Sequence, residues 1–389
     1  MINRICFIVD GYPSEYRVVN AFVEALVNQM VDLGKDCCVI FPQSVNKAIK
    51  LKTKILPDVY ERKTPGGNSV TVYCPKYISY SSTKIMGINT AFLTKASFQN
   101  AVEKVFKKLN DTKPFDAVYG HFLNPAGMVA SYLGSKYNVS SFFAYGENGT
   151  YTIDYFGAQK TSELVKSLNG VISVSSVNKE ILIENSIVSE DIIGVFPNSI
   201  DQRVFWMRNK KEMREKYNMP SDAFIIAFVG RFLDVKGPLR LSHALNEINK
   251  NNTVYSLFIG EGSENPTCEN ILHCGPLPHD IIPEYLSCAD AFVLPTLAEG
   301  CCNAIIEAMA CGLPIISSNL PFNRDILDCE NAVLIDPTSV NDIEKAILLL
   351  KEDNLLRKKM CASSLEKAKN LNIENRAIKI LEFMNEHQR

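Results

Sequence analysis

No stretch of this 389-residue sequence approaches the about 18–20 consecutive apolar residues of a membrane span. The opening Met1–Asp10 carries one basic residue and an apolar run too short for a signal peptide, and a turn follows at once; it reads as a first strand of a cytoplasmic protein. Charge of one sign is also lacking. With 41 Lys and Arg against 43 Asp and Glu, the chain has none of the basic excess of a general nucleic-acid binder. The glycine fingerprints are missing too: there is no G-x-G-x-x-G and no G-x-x-x-x-G-K-[ST], which disfavours a dinucleotide oxidoreductase and a P-loop enzyme. No D-x-D metal motif and no C-x-x-C occur, and none of the twelve cysteines stands at zinc spacing to the five histidines. The cysteines are scattered along apolar runs, where a thiol behaves as a small hydrophobe, so they are expected to stay reduced.

What is present is alternation. Short apolar runs at Arg4–Val9, Cys37–Phe41, Ser69–Cys74, Ala117–Gly120, Ser141–Ala144, Val171–Val174 and Ile193–Phe196 read as strands. Amphipathic stretches at Val18–Leu33, Ala91–Leu109 and Pro125–Tyr137 read as helices between them. The pattern restarts at Phe224–Val229 and continues through Tyr255–Ile259, Ile271–Cys274, Ala291–Leu294, Pro314–Ser317 and Ala332–Ile335, with helices at Pro238–Asn249, Asp280–Cys288 and Asn303–Cys311. Such βα repetition predicts α/β units built on parallel sheets. The polar segment Pro197–Asp222 has no strand pattern and reads as a linker. The expected division is residues 1–197, residues 198–370, and a terminal helix at 371–389 that crosses back to the first domain. Two doubly wound, Rossmann-like domains would face each other across a cleft, with ligands at the carboxyl ends of the strands.

Two constellations carry chemistry. In the first, Phe224–Val229 ends at Gly230, and Arg231 and Lys236 fall in the loop before Pro238, which suits a first helical turn. Two cations beside the free amides of a helix N-terminus make a diphosphate site, unless they are simply two solvated loop charges. In the second, Ala291–Leu294 leads through Glu299 and Gly300 to a helix that Asn303 is expected to cap and Gly312-Leu-Pro314 to end. Between those limits every residue but Glu307 is apolar. A carboxylate on so buried a helix is costly unless something polar meets it, either neighbouring backbone or a hydroxyl-rich ligand. Glu299 and Glu307 would then point into one crevice, one at the helix mouth and one a turn inside.

The spacing Glu299-x7-Glu307 followed by Ala-Met-Ala-Cys311-Gly-Leu-Pro resembles the retaining glycosyltransferases of family 4 (glycosyl transferases group 1), which have the GT-B fold. Val229-Gly-Arg231-x4-Lys236-Gly, Pro197-Asn-Ser-Ile-Asp201-x3-Phe205 and Leu277-Pro-His-Asp280 stand in the same order as in that family. His121-Phe-Leu-Asn-Pro125-Ala-Gly127 and Ala144-Tyr-Gly146-Glu147 look like its acceptor-side histidine and glycine-turn elements. The glycine pair usual after the first strand is replaced by Asp10-Gly11-Tyr12-Pro13, so the phosphate contact there rests on Gly11, and Asn198-Ser199 stands where Asn-Gly is commoner. The resemblance implies that Arg231 and Lys236 bind the donor diphosphate, with Gly230 allowing the approach, and that Glu307 takes the ribose hydroxyls. It implies that Glu299 contacts the transferred sugar, helped by backbone at Gly300, Cys301, Cys302 and Asn303. Leu277 and the neighbouring His279 would lie by the base, and His121 by the anomeric centre, unless His121 is a satisfied structural histidine at a strand end.

The function so implied is transfer of a sugar from a nucleotide-sugar, UDP-sugar on family frequency, to a saccharide or lipid-linked acceptor with retention, without a metal or other cofactor, in polysaccharide or glycolipid synthesis. A nucleotide-sugar epimerase would bind the same donor but lacks reason for the paired glutamates; an exported sugar-binding protein fits poorly with scattered thiols and no signal peptide. Charge is uneven: residues 35–113 hold 14 basic and 5 acidic residues, including Lys47, Lys50, Lys52, Lys54 and Arg62-Lys63. They end in Lys95–Leu109, whose apolar residues recur at helical spacing between lysines. Such a helix would lie on an anionic membrane at the inner face, or else pack its stripe on the first sheet.

Overall fold

Near-continuous apolar runs become strands that are buried on both faces. The computed structural model describes residues 1–16, 19–80, 84–85 and 88–389. They form two units, one of Met1–Val174, Asn178–Phe196 and Arg376–Arg389, the other of Ser175–Val177 and Pro197–Asn375.

The sheet of the first unit contains β1 (Arg4–Ile8), β2 (Asp36–Ile40), β3 (Val59–Lys63), β4 (Ser69–Tyr73), β5 (Ala117–His121), β6 (Ser140–Tyr145), β7 (Gly170–Ser173) and β8 (Ile193–Val195). Their order is β8-β7-β6-β5-β1-β2-β4-β3. All neighbours are parallel except β3, which runs antiparallel to β4 at the edge. β3 has no apolar run in its sequence, Val-Tyr-Glu-Arg-Lys, and it alternates exposed and half-buried residues, as an edge strand with one wet face does. The chain order reverses at β1, whose neighbours are β2 and β5, so a crevice opens beyond the carboxyl ends of β1 and β5. Ile8 is paired with Gly120 across these strands. The predicted helices are present as Ala21–Asp32, Ala91–Thr112 and Met128–Tyr137, the last preceded by a wide turn at Leu123–Gly127. Val18, where the first helix is expected to begin, lies outside the described residues.

The Lys95–Leu109 stripe belongs to the core. Phe98, Val102 and Phe106 are fully buried among Val118, Val129 and Leu133. The expectation that this face lies on a membrane is therefore corrected. Amphipathic spacing is the same whether the apolar stripe meets lipid or a sheet, and here the sheet takes it.

In the second unit, β9 (Ile225–Val229), β10 (Tyr255–Ile259), β11 (Ile271–Gly275), β12 (Ala291–Leu294), β13 (Ile315–Ser318) and β14 (Ala332–Ile335) form a wholly parallel sheet in the order β11-β10-β9-β12-β13-β14. Its order reverses at β9, which places the favoured crevice beyond β9 and β12. The segment Pro197–Asp222 is not a free linker. Asn209 caps a helix at Lys210–Lys216 by accepting from the amides of Lys211 and Glu212. Buried Arg214 then donates to the carbonyls of Cys288, Ser221 and Ala223 and to Asp290, 2.7–2.9 Å away, tying the segment to the sheet. None of the twelve cysteines forms a disulfide among the described residues.

Candidate functional site

Two loops meet beyond β9 and β12. After β9 the Gly230 amide donates to the carbonyl of Ile259, and Gly260 lies so close that an added Cβ would stand 1.9 Å from the Gly230 oxygen. Phe232 is buried and hydrogen-bonded to Glu261, while Arg231 between them is exposed. A tight turn at Asp234–Lys236 follows, then Gly237 at φ +75°, and Pro238 opens the next helix as expected. A Cβ at Gly237 would approach the Pro295 carbonyl to 2.7 Å, so the glycine lets the two loops touch. The Leu297 amide donates to the Val235 carbonyl at 2.7 Å and the Thr296 hydroxyl at 3.1 Å. These bonds bring Lys236 Nζ onto Glu299 Oε1 in an ion pair whose side chains are only 16% and 11% exposed. The structure thus couples the two constellations that the sequence presents 63 residues apart.

Glu299 leads to the helix Asn303–Ala310 through buried Gly300 and Cys302. The cap is not Asn303 but Cys302, which has extended backbone and makes no side-chain cap bond. Asn303 already has helical backbone as the first residue, and its Oδ1 is buried without a hydrogen-bond partner among the described residues. Glu307 is 8% exposed, and its Oε1 lies 3.2 Å from His279 Nε2. The polar group meeting this carboxylate is therefore an imidazole from the loop after β11, not backbone. Glu307 raises the His279 pKa, chiefly through this hydrogen bond. The ring of Phe205 stands edge-on to His279, with centroids 5.1 Å apart. Leu277, in the same loop, packs partly buried on the core. Asn198 braces the glutamate loop, its amide side chain donating to the Cys301 carbonyl at 3.0 Å and its backbone amide to Cys301 Sγ at 3.3 Å. The sequence flags the Asn198 motif but not this bracing, which joins residues 103 apart.

In the first unit, Gly11 follows β1. Asn20, at φ +53°, donates to the Gly11 carbonyl at 3.2 Å, and a Cβ on Gly11 would stand 2.8 Å from Val19 Cγ1. His121 ends β5, the strand beside β1. It is buried against Phe22 and Phe122, with ring centroids 5.3 and 4.7 Å away, and its Nδ1 has no partner among the described residues. Burial, aided by the charge of Arg376, lowers its pKa to about 3, so the ring is neutral near pH 7. Phe122 next to it takes φ +70°, a strained conformation for a bulky residue. Glu147 holds that turn: Oε1 accepts from the Leu123 amide at 2.7 Å and Oε2 from the Gly146 amide at 3.1 Å. Burial raises the Glu147 carboxyl to about 7, against those hydrogen bonds. The sequence marks Glu147 only as part of a turn motif; its grip on the residues after His121 is a feature of the fold.

Residues 209–369 match the family model described as glycosyl transferases group 1. The chain is 24% identical over 354 residues to the putative teichuronic acid biosynthesis glycosyltransferase TuaC of Bacillus subtilis, covering 88% of each. It is 28% identical over 221 residues to the UDP-Gal:alpha-D-GlcNAc-diphosphoundecaprenol alpha-1,3-galactosyltransferase of Escherichia coli, over 52% of this chain and 55% of that one. Among solved structures it is similar to sucrose-phosphate synthase from Thermosynechococcus elongatus, with a TM-score of 0.78 at 20% identity over 99% of this chain and 98% of that one. That likeness concerns the fold alone: the α/β kind expected from the alternation of strands and helices, in the GT-B form that the family resemblance implies.

Proposed function

We propose, on the match of residues 209–369 to the model of the glycosyl transferases group 1, that this chain moves a sugar from a nucleoside-diphosphate sugar, UDP-linked in the first instance, to a saccharide or lipid-linked acceptor with retention of anomeric configuration. The observation that carries this reading is the Lys236–Glu299 pair beyond β9 and β12. An incoming diphosphate offers Lys236 a second anionic partner and exposed Arg231 a first, and charge-assisted contacts of this kind are among the stronger hydrogen bonds. Glu299 then accepts from hydroxyls of the transferred sugar, and Glu307 from the ribose, with His279 and Leu277 toward the base. The bond from the anomeric carbon to the diphosphate oxygen breaks, and its electron pair leaves on the diphosphate, where Lys236 and Arg231 stabilise the charge. The acceptor hydroxyl attacks the same face and passes its proton to the departing diphosphate oxygen. Neutral His121 takes part through hydrogen bonding to the sugar, without a charge of its own. In this reading, two side-chain cations do the work of a divalent ion.

The two relatives' names refer to teichuronic acid biosynthesis and to a diphosphoundecaprenol-linked sugar, which supports a saccharide or lipid-linked acceptor for this protein. A cytoplasmic location, with the acceptor met at the inner membrane face, completes the reading. The test is incubation with UDP-, GDP- and ADP-sugars, with and without acceptor. Nucleoside diphosphate released with the acceptor, and a glycoside whose anomeric coupling matches the donor, is the expected result. An isomerised donor would mean an epimerase, and binding without turnover a carrier protein; either overturns the proposal.

A further inference from the structure

A cavity of about 460 Å³ in the second unit has no part in the chemistry above. Ala289, Leu313 and Pro314, all buried, line it just ahead of β12 and β13, so it lies at the amino ends of those strands. The loops of Lys236 and Glu299 leave the carboxyl ends of β9 and β12, at the opposite end of the same parallel sheet. Four cationic residues line the cavity, Arg208, Lys210, Arg357 and Lys358, against one acid, Asp290. That acid is already committed. Its Oδ1 accepts from Lys210 at 2.7 Å, and its Oδ2 accepts from Arg214 and from the Ile225 amide, each at 2.8 Å. The two guanidinium groups are held by neutral oxygens instead. Arg208 donates to the carbonyls of Val204 and Trp206 at 3.1 Å and lies over the Trp206 ring at 4.4 Å. Arg357 donates to the carbonyls of Leu350 and Lys351 and to Asn354 Oδ1. Carbonyls fix a guanidinium without cancelling its charge. Glu284, an acid whose pKa responds to Arg208, is itself bonded to Lys216 and Tyr217. Lys358 is exposed and has no hydrogen-bond or ion-pair partner among the described residues.

The walls are built to meet here. Asn354, Arg357, Lys358 and Cys361 recur at i, i+3, i+4 and i+7 on the helix Asn354–Asn370, so one helical face carries them all. Gly312 at φ +77° lets the other walls approach: a Cβ there would stand 2.7 Å from Met207 Sδ and 3.3 Å from Cys361 Sγ. Burial raises the pKa of the Cys311 and Cys361 thiols; Arg208 opposes the first shift and Lys210 the second, so both charges are felt at the cavity wall. Uncompensated cations above a buried apolar lining fit an anion that carries an apolar body. A phosphate ester brings up to about two negative charges and three acceptor oxygens, nearer to Arg208, Arg357 and Lys358 together than the single charge of a carboxylate. We propose that this cavity binds a small organic phosphate, Arg208, Arg357 and Lys358 taking the phosphate and Met207, Leu313 and Pro314 its apolar body. The site is distinct from that of the donor and does not depend on the transferase reading.

The test is calorimetric titration of the full chain with phenyl phosphate, inorganic phosphate and phenol, with and without UDP. Phenyl phosphate should bind at least fivefold more tightly than inorganic phosphate, UDP should not displace it, and phenol alone should not bind. Lys358→Gln, with no partner to lose, should weaken phenyl phosphate at least fivefold with an unchanged melting temperature. Arg208→Gln/Lys358→Gln should weaken it at least twentyfold. Lys345→Gln/Lys359→Gln, equal in charge, exposed and outside the cavity lining, should change it less than twofold, as should Arg231→Ala in the donor loop. Absence of binding, equal losses from the two double variants, loss in Arg231→Ala, displacement by UDP, or no preference for phenyl phosphate would each overturn the proposal. Phosphatidylcholine vesicles with about 30% phosphatidic acid should not sediment the chain through this site; sedimentation abolished by Arg208→Gln/Lys358→Gln would assign these contacts to a lipid headgroup and overturn the small-molecule proposal. A UDP thermal shift on the same samples reads the donor site by itself, so failure of the transferase reading leaves its own signature.

Discussion

Lys236 and Glu299 form an ion pair between the loops after β9 and β12, each side chain largely removed from solvent. The ammonium proposed to meet a diphosphate is therefore partnered by the carboxylate proposed to meet the sugar. Each group keeps the other from being a buried, uncompensated charge. Donor binding must then replace one partnership with two.

Lys236→Ala should lower kcat/KM at least a hundredfold and also destabilise the fold by about 2–3 kcal/mol, because Glu299 is left buried and unpaired. Lys236→Ala/Glu299→Gln should recover most of the melting temperature and none of the turnover. Arg231→Ala, at an exposed position, should lose activity with stability unchanged. Denaturant melts alongside initial rates check all three variants; near-wild-type rates in both Lys236→Ala and Arg231→Ala would refute the diphosphate assignment.

Removal of divalent ions should leave turnover intact if, as proposed, Lys236 and Arg231 supply the positive charge at the leaving group. Rates measured after dialysis against EDTA decide it. A strict requirement for added Mg²⁺ or Mn²⁺ would refute this assignment of roles.

Glu307→Gln should weaken UDP binding, and Glu299→Gln should spare UDP but cut turnover of the sugar donor. The first variant carries an independent marker. Glu307 raises the His279 pKa, so the pair's stabilisation is complete below the ordinary value of 6.5 and fades as pH rises through the folded value. In Glu307→Gln the His279 titration, followed by NMR, should move downward and this pH dependence of stability should shrink. An unmoved titration would separate the two residues in solution.

The buried imidazole of His121 has the opposite sign. With its pKa depressed from 6.5 to about 3, it favours the folded state above pH 6.5, and that contribution is lost as pH falls toward 3. His121→Phe should therefore flatten the acid limb of the stability profile while reducing turnover at least tenfold, with donor affinity little changed. Unaltered turnover would make the ring structural.

Glu147 offers the complementary measurement. Its carboxyl is raised from 4.5 to about 7, so the stability linked to the bound proton is full below pH 4.5 and declines as pH rises through 7, by at most about 3 kcal/mol. Glu147→Gln, which can still accept from the Leu123 amide, should abolish that decline. Glu147→Ala should release the turn at Phe122 and reduce turnover along with His121. A pH–stability curve for Glu147→Gln identical to wild type would remove Glu147 from this account.

Much of the sheet architecture was legible because parallel central strands are apolar throughout: β1, β5, β6, β9 and β12 lie within two residues of their predicted bounds. β3 escaped, since Glu61, Arg62 and Lys63 on a wet edge look like loop. The helix Lys210–Lys216 escaped too, because it is held by the buried guanidinium of Arg214 and sequence pattern reads arginine as solvent-facing. At the candidate site, the residue types and their loops were readable, but partnerships were not. Neither Lys236 with Glu299 nor His279 with Glu307 is local in sequence, and loop-to-loop contact is set by the reversal of strand order at β9. The Asn303 cap was misread because asparagine favours helix starts, yet buried Cys302 took the position. The stripe at Phe98, Val102 and Phe106 was readable as amphipathic, and only the sheet beneath it says what it faces.

The first unit includes Arg376–Arg389. Asn385 accepts the Ile2 amide at 2.7 Å, and the Arg389 guanidinium reaches the carbonyls of Gly134 and Ser167. During synthesis this unit emerges first and is finished last. At about 5–20 residues per second, the nascent first sheet waits on the ribosome for its closing helix while the second unit, contiguous but for Ser175–Val177, has its residues in hand earlier. The fourteen residues Arg376–Arg389 are thus what closure of the first unit waits for, although its sheet is made first.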